Sequence, residues 1–467
     1  MKRAPKIIEN LEIVSLANNG KGVGKHDGKA YFITAVAPGD LVDARLTKNK
    51  KAFAEGVIYK MIKPAANRVT PFCEHFGVCG GCKWQHLDYK DQVFWKKQIV
   101  EDAFQRIGNL EYPEPEPVLE SEKHAFYRNK LEFSFSDSRW FTDEEIKSGE
   151  DLEDNGALGF HIPGRFDKVL NINKCHLQQE PTNQIRNKIY HFAKLHNIPF
   201  FNIRKQEGLL RTLIIRISSL GEVMVILTFY HRDEEKIHLI MEYLKNEIPE
   251  ITSLNFVVNP KGNDTITGLK AELYSGRAYI IEKLGNVKYK IGTHSFFQTN
   301  SLQAEKMYAL IKDWIELKGN ENILDLYTGL GSIALYVSDK AKSVVGIENV
   351  EEAIEDAKEN ARFNNIENCT FYAADVKDFF KDSDFKDFLK PDVIITDPPR
   401  AGMHPDVVDT LNQIKAEKIV YVSCNPATQA RDLALLSDNY EIIKWMPMDL
   451  FPQTPHVENL VLLKLKS

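Results

Sequence analysis

Short apolar runs separated by glycine and proline open the chain. Leu11 to Leu16, Ala30 to Ala35, Leu41 to Thr47 and Phe53 to Met61 each have strand length, with Gly20, Gly22, Gly24 and Pro38-Gly39 between them. This even spacing predicts a small antiparallel barrel of the OB type over residues 1–63. Asn19 to Lys25 is glycine-rich enough to suggest a phosphate-cradling loop, but it lacks the Gly-Lys-Ser/Thr ending and a following helix. Its glycines are read as barrel turns.

Tyr89 to Ile107 has helical spacing, and Glu111 to Pro117 is a proline-rich connector. From Phe126 to Gly292, β-rich runs such as Arg211 to Tyr230 alternate with helical segments near Gln184 to Leu195 and Asp233 to Leu244. A β-rich α+β central domain over 64–292 is expected. Thr142 to Asn155 holds seven acidic residues and one lysine, the pattern of a solvated loop.

Beyond Asn300 the pattern changes again. Asn300 or Ser301 can cap a helix carrying Leu302, Tyr308, Ile311 and Ile315. Four apolar strands follow, Ile323 to Leu326, Val344 to Ile347, Val393 to Thr396 and Ile419 to Val422, each ending in a polar or glycine-rich turn and separated by helix-like segments. That alternation predicts a doubly wound parallel sheet, a Rossmann-like domain over 293–467. The chain is thus expected to be a multidomain α/β protein in three parts.

Composition narrows the class. The 467 residues are 43% hydrophobic and 27% charged, and no run approaches the roughly 20 apolar residues of a membrane span. No apolar stretch with a cleavage site follows the basic N-terminus, so a cytoplasmic protein with no membrane partner is expected. Net charge is -6, yet residues 1–70 carry a net of +7 and the remainder -13. A basic nucleic-acid module on an acidic enzyme fits that asymmetry.

Ligands of a doubly wound sheet bind beyond the carboxyl ends of its strands, so the residues there carry the chemistry. The first strand runs into Asp325-Leu-Tyr327-Thr-Gly329-Leu-Gly331, and the second ends at Glu348, seventeen residues past Gly331. An acidic residue there can accept both hydroxyls of a ribose. Only two of the dinucleotide glycines are present, so S-adenosylmethionine (SAM), which has a ribose and no phosphate, fits better than NAD. Asp375 ends the next strand-like run, where a carboxylate could reach the adenine.

Asp397-Pro-Pro-Arg400 follows the strand ending at Thr396. Alone it fits either a loop or the amine-binding tetrad of an adenine-N6 methyltransferase. Cys424, in Tyr421-Val-Ser-Cys-Asn-Pro at the next strand end, decides against the latter, because an amine needs no protein nucleophile. Carbon 5 of a pyrimidine does: a thiolate must add at C6, and a base must later remove the C5 proton. Phe451-Pro-Gln-Thr-Pro-His456-Val-Glu458 supplies candidates for the base, with Glu458 preceding an apolar edge strand, Leu460 to Leu465.

These tracts, together with Ser295-Phe-Phe-Gln298-Thr-Asn300, resemble the RNA (uracil-5)-methyltransferase family in order and over essentially the whole chain. The resemblance implies Cys424 as nucleophile and Glu458 as base, with Gln298, Tyr327, Glu348, Asp375 and Asp397 contacting SAM. Tyr327-Thr328 stands where the family often has Phe-Cys, and Gln453 where it often has His.

Cys73-x5-Cys79-x2-Cys82 and the remote Cys175 provide four thiolates, enough for a closed Fe–S or zinc site. Three close cysteines and one distant favour Fe–S modestly over zinc. In similar proteins of the ribosomal-RNA branch these four hold a [4Fe-4S] cluster, and the barrel is a TRAM domain. The resemblance therefore implies methylation of uridine C5 in large-subunit ribosomal RNA by a monomer, the alternatives being transfer RNA or a non-catalytic RNA-binding protein. Cys369 is read as a core residue. Lys21, Lys25, Lys48, Lys50 and Lys51 on the barrel, and Phe126-Tyr-Arg128-Asn-Lys130, mix charge and aromatics suited to RNA, but none is assigned a role.

Overall fold

The computed structural model describes residues 6–149, 152, 154–380 and 390–467. Five strands close the N-terminal barrel: β1 (Ile7–Leu16), β2 (Gly22–His26), β3 (Lys29–Thr34), β4 (Leu41–Asn49) and β5 (Phe53–Lys63). They are ordered β1-β2-β3-β5-β4. Alternate residues such as Leu11, Ile13, Ile33, Val42 and Ala44 fill its interior, as the two-residue side-chain period requires.

One expectation fails here. Gly22 and Gly24 are not turn residues; they belong to β2, and only Gly20, at φ +82°, makes the turn. A Cβ on Gly22 would lie 2.2 Å from Val36 Cγ2, and one on Gly24 2.6 Å from the Glu12 carbonyl oxygen. These glycines let strands approach closely. Lys21 and Lys48 also prove to be committed, both pairing with Glu55.

The central sheet comprises β6 (Lys130–Ser136), β7 (Ala157–Ile162), β8 (Arg165–Asn171), β9 (Leu210–Ile217), β10 (Val223–Phe229), β11 (Ile251–Val258) and β12 (Ala271–Gly276). Its order is β12-β11-β10-β9-β6-β7-β8. Every residue of β9 and β10 is buried because both faces are covered. Leu213, Ile215, Val225 and Leu227 pack under the helices Thr182–Leu195 and Glu234–Glu247. Ile214, Met224 and Ile226 point the opposite way, into a core shared with the C-terminal sheet. The acidic stretch contains a short helix, Asp143–Ser148, closed by a Thr142/Glu145 capping box; Glu150, Asp151 and Glu153 lie outside the described residues.

A hairpin of β13 (Ile280–Leu284) and β14 (Val287–Ile291) packs on the C-terminal core. That core is built on β15 (Asn322–Leu326), β16 (Ser343–Glu348), β17 (Cys369–Ala373), β18 (Val393–Thr396), β19 (Lys418–Ser423), β20 (Tyr440–Met448) and β21 (Glu458–Leu465). The order β17-β16-β15-β18-β19-β21-β20 reverses direction between β15 and β18, the switch point at which such sheets bind ligands. Asn300 caps the helix Ser301–Ile315, its side chain accepting from Gln303 N–H. Leu302 is exposed on that helix, while Tyr308, Ile311 and Ile315 are buried.

β21 corrects the expected edge strand. It lies between β19 and β20, antiparallel to both, and β20 forms the edge. Its first six residues are all buried, the mark of an interior strand. Among the described residues no helix is long and apolar enough to cross a membrane.

Candidate active site

Four carboxylates gather at the switch point. Asp325 is the fourth residue of β15, Glu348 ends β16, Asp397 follows β18 and Glu458 starts β21. The turn after β15 is shaped by left-handed backbone at Tyr327 (φ +62°), Gly329 (+56°) and Gly331 (+81°). At Gly331 the ring of Phe371 lies 3.1 Å from where a Cβ would stand. Thr328 Oγ1 donates to Asp325 Oδ2 (2.5 Å), and Gly329 N–H points at Glu348 Oε2 (3.3 Å). Gln298 Nε2 donates to Asp397 Oδ2 (3.2 Å), and its backbone carbonyl is held by Asn129 Nδ2 (2.8 Å).

None of these four carboxylates forms an ion pair with another described residue. Burial pushes Asp325 and Asp397 up to about 7, and Asp325 is raised further by its neighbours Asp397 and Glu348. Burial, reinforced by Asp397, also raises Glu458 well above the usual carboxylate range. A group of buried carboxylates that outnumbers its one neighbouring cation, Arg400, favours a cationic ligand, and SAM carries both a sulfonium and an ammonium. The donor set therefore fits that cofactor. Asp375 departs from the group: 45% exposed, it caps its own short helix, accepting from Lys377 N–H (3.0 Å) and pairing with the Lys377 ammonium (3.1 Å).

Cys424 follows β19 directly, where Asn425 caps the helix Pro426–Leu436. Burial, then Glu458 and Asp397, push its thiol up to about 11, while Arg400 pulls it down. Arg400 NH2 also reaches His456 Nδ1 at 2.8 Å. His456 is pushed down to about 4 by burial and by surrounding cations, Arg400 foremost, so its ring is neutral. The sequence reading missed Arg400 and Asp325 as site residues. Their signals were present, a cation closing Asp-Pro-Pro-Arg and a carboxylate in the first strand.

The loop from Asp449 to Val457, which leads into Glu458, is gripped from outside the sheet. Lys83 and Trp84 N–H groups both donate to the Gln453 carbonyl (2.9 Å each). Gln92 exchanges bonds with Gln453, accepting its backbone N–H (2.8 Å) and donating to its Oε1 (3.0 Å). Lys96 Nζ, wholly buried, meets Asp449 Oδ1 at 2.5 Å and the Phe451 carbonyl at 3.1 Å. These contacts hold Gln453 at φ +69°.

The four cysteines 73, 79, 82 and 175 line one pocket, with Phe76, Phe160 and Ile172 among its walls. Among the described residues no His, Cys, Asp or Glu side chains converge closely enough to hold a single metal ion. Burial raises all four thiols, Cys79 to about 12 and Cys82 to about 11, whereas Arg128 and Arg186 favour the thiolate of Cys175. Cys175 N–H donates to Asn183 Oδ1 (2.7 Å), and Gly81 N–H to Cys79 Sγ (3.4 Å). Cys369, by contrast, is half-buried against the C-terminal core.

A doubly wound sheet with an antiparallel strand inserted beside its edge, and carboxylates gathered at the switch point, is the fold of a class I SAM-dependent methyltransferase. Residues 200–466 match the family model of tRNA (uracil-5-)-methyltransferases, and residues 8–59 match the TRAM domain. The chain belongs to the RNA uracil-5-methyltransferase family. An uncharacterized RNA methyltransferase of Bacteroides thetaiotaomicron is 47% identical, covering 97% of this chain and 100% of its own length. One from Chlorobaculum tepidum is 38% identical over 98% of this chain and 96% of its own. The crystal structure of Pyrococcus abyssi tRNA (uracil-54, C5)-methyltransferase, in complex with S-adenosyl-L-homocysteine, superposes with a TM-score of 0.75 at 29% identity, covering 97% of this chain and 99% of that one.

Proposed function

We propose that this enzyme methylates C5 of a uridine in large-subunit ribosomal RNA through a covalent adduct between Cys424 and uracil C6. The observation that supports this most is the pairing of Ser423 with Asn459 across β19 and β21, which sets Cys424 beside Glu458, with Asp397 and Arg400 near enough to bias both groups. Gln298, Tyr327, Glu348 and Asp397 would hold SAM, with Asp375 at the adenine end; SAM when bound supplies an electrophilic methyl group. Arg400 lowers the cost of ionising the thiol, and the Cys424 thiolate adds to C6, shifting the electron pair to C5. After C5 has taken the methyl group, the Glu458 carboxylate removes the C5 proton, the C6–S bond breaks and the thiolate returns. Burial makes Glu458 a stronger base than an ordinary carboxylate, and the neighbouring Arg400 charge favours its ionised form.

In this reading the chain works as a cytoplasmic monomer divided at 1–63, 64–292 and 293–467, and Cys73, Cys79, Cys82 and Cys175 hold a [4Fe-4S] cluster. A tetrahedral zinc about 2.3 Å from each sulfur would draw the thiolates to within about 4 Å of one another. The four cysteines line one pocket, which supports a shared site, and their spacing along the chain, three close and one distant, favours Fe–S modestly over zinc. Resemblance to the ribosomal branch supports ribosomal RNA. The second reading, transfer RNA, is favoured by the Pyrococcus abyssi enzyme, a tRNA (uracil-54, C5)-methyltransferase whose match extends over 97% of this chain, barrel included, so the barrel does not discriminate.

The test uses 5-fluorouridine RNA, in which fluorine cannot leave as a proton. Wild-type enzyme with SAM should stall as a denaturation-resistant covalent complex, and Cys424→Ala should form none. Glu458→Gln should accumulate the methylated complex on ordinary uridine. An adduct persisting in Cys424→Ala would overturn the mechanism. Mapping 5-methyluridine in RNA from cells lacking the protein separates the two substrates.

A further inference from the structure

Beside the active site, on the side of the cysteine pocket, three rings form an open cluster. Phe72 is 46% exposed and Phe126 39% exposed. Both lean on His176, with centroids 5.3 Å apart at 72° for Phe72 and 5.7 Å apart at 53° for Phe126. Large apolar rings in contact normally close over one another in a core; these leave their outer faces in water.

Phe126 is moreover held where a bulky residue seldom sits, at φ +55°. Its N–H donates to the His176 carbonyl (2.7 Å), and Arg128 N–H to the Leu177 carbonyl (2.8 Å). This pairing fixes the backbone on both sides of the ring. Strain of this kind persists only where surrounding bonds over-determine it.

The cluster is continuous with the chemistry. Tyr127 OH donates to the Pro452 carbonyl (2.9 Å), and the Arg128 guanidinium lies over the Phe451 ring at 5.2 Å. Phe451 in turn meets His456 edge-on, and His456 meets Arg400. Among the described residues the buried Arg128 Nε has no hydrogen-bond partner. Lys123, Arg128 and Lys174 have no ion pair with a described residue, and the two lysines are exposed, outnumbering the one exposed acid that acts on His176, Glu74. Exposed rings interleaved with uncommitted cations are what an unpaired stretch of RNA binds, its bases on the rings and its phosphates on the charges.

We propose that Phe72, His176 and Phe126 form a stacking platform for one unpaired nucleobase flanking the target uridine, with Lys123, Arg128 and Lys174 taking the adjacent phosphates. This rests on the RNA reading above and adds to it the face along which the strand leaves the active site.

The experiment measures RNA affinity of the full-length enzyme, with a single-stranded RNA substrate that supports adduct formation. Phe126→Ala should weaken binding about 5- to 140-fold, the range of one lost base–aromatic stack, and Phe126→Trp should retain it. Phe126→Gly relieves the positive φ and removes the ring; it should be at least as heat-stable as wild type yet bind as poorly as the alanine variant. The same RNA is then made with an abasic nucleotide at each position in turn. At one position the penalty of Phe126→Ala should vanish, because the base it serves is gone. Binding of Phe126→Ala within twofold of wild type, or a penalty unchanged on every abasic RNA, would overturn the platform. A wild-type enzyme forming no adduct on 5-fluorouridine RNA would overturn the underlying function instead, and the two failures are read from separate assays.

Discussion

Replacing Lys96 by Met tests whether the active-site loop is held from the helix Tyr89–Ala103. Lys96 and Asp449 are both wholly buried, 2.5 Å apart, and the ammonium also serves the Phe451 carbonyl. Burial lowers the Lys96 pKa even with Asp449 beside it, so the pair sits in a medium hostile to charge. Without the ammonium, Asp449 keeps the Phe451 N–H (3.0 Å) on Oδ1 and the neighbouring Tyr89 hydroxyl, and no other cation among the described residues pairs with it. Stranding one member of such a pair costs about 3–5 kcal/mol, whereas replacing both with apolar residues of similar volume is close to neutral.

The expected outcome is therefore asymmetric. Lys96→Met should lower the urea midpoint by roughly 2 M at an m-value of about 2 kcal/mol/M, and Lys96→Met/Asp449→Leu should recover most of that loss. Trp84 and Trp445 are both fully buried, and the ring of Trp445 packs on Phe104 beyond the C-terminal end of this helix, so tryptophan fluorescence follows the relevant unit in a protein whose parts need not unfold together. A single variant costing under about 1 kcal/mol, or a double variant as unstable as the single, would refute the reasoning.

Two further outcomes follow from the site. Asp325 and Asp397, raised to about 7 by burial, hold protons in the free enzyme below that pH. A cationic cofactor favours their ionised forms, so SAM affinity should rise from about pH 6 to about pH 8 with proton release. Calorimetry in two buffers of different ionisation enthalpy checks this, and Asp397→Asn should flatten the profile; binding without proton release would contradict it. At the cysteine pocket, protein purified without oxygen should contain both iron and sulfide and lose them in Cys175→Ser; stoichiometric zinc with no sulfide would remove the cluster from the account.

Much of this protein was legible in its sequence because the decisive signals are local. Apolar runs leading to Tyr327, Glu348, Asp397 and Cys424 mark parallel strands and what they carry, since side-chain period and strand-end position follow from neighbours along the chain. The TRAM barrel was legible from its turns, although the second strand, Gly22–His26, was hidden, because its glycines serve a contact with Val36 and Ile13 that no local pattern announces. What only tertiary structure decided depends on residues far apart. β21 is interior because strand order is set by how helices pack on the two faces of the sheet. Gln92 and Lys96 reach Gln453 and Asp449 across more than 350 residues, and Phe72 meets His176 across the cysteine pocket. Burial raises Asp397 and Glu458 and lowers His456, and burial belongs to the folded assembly: the same carboxylates and imidazole in an extended chain would titrate as ordinary groups.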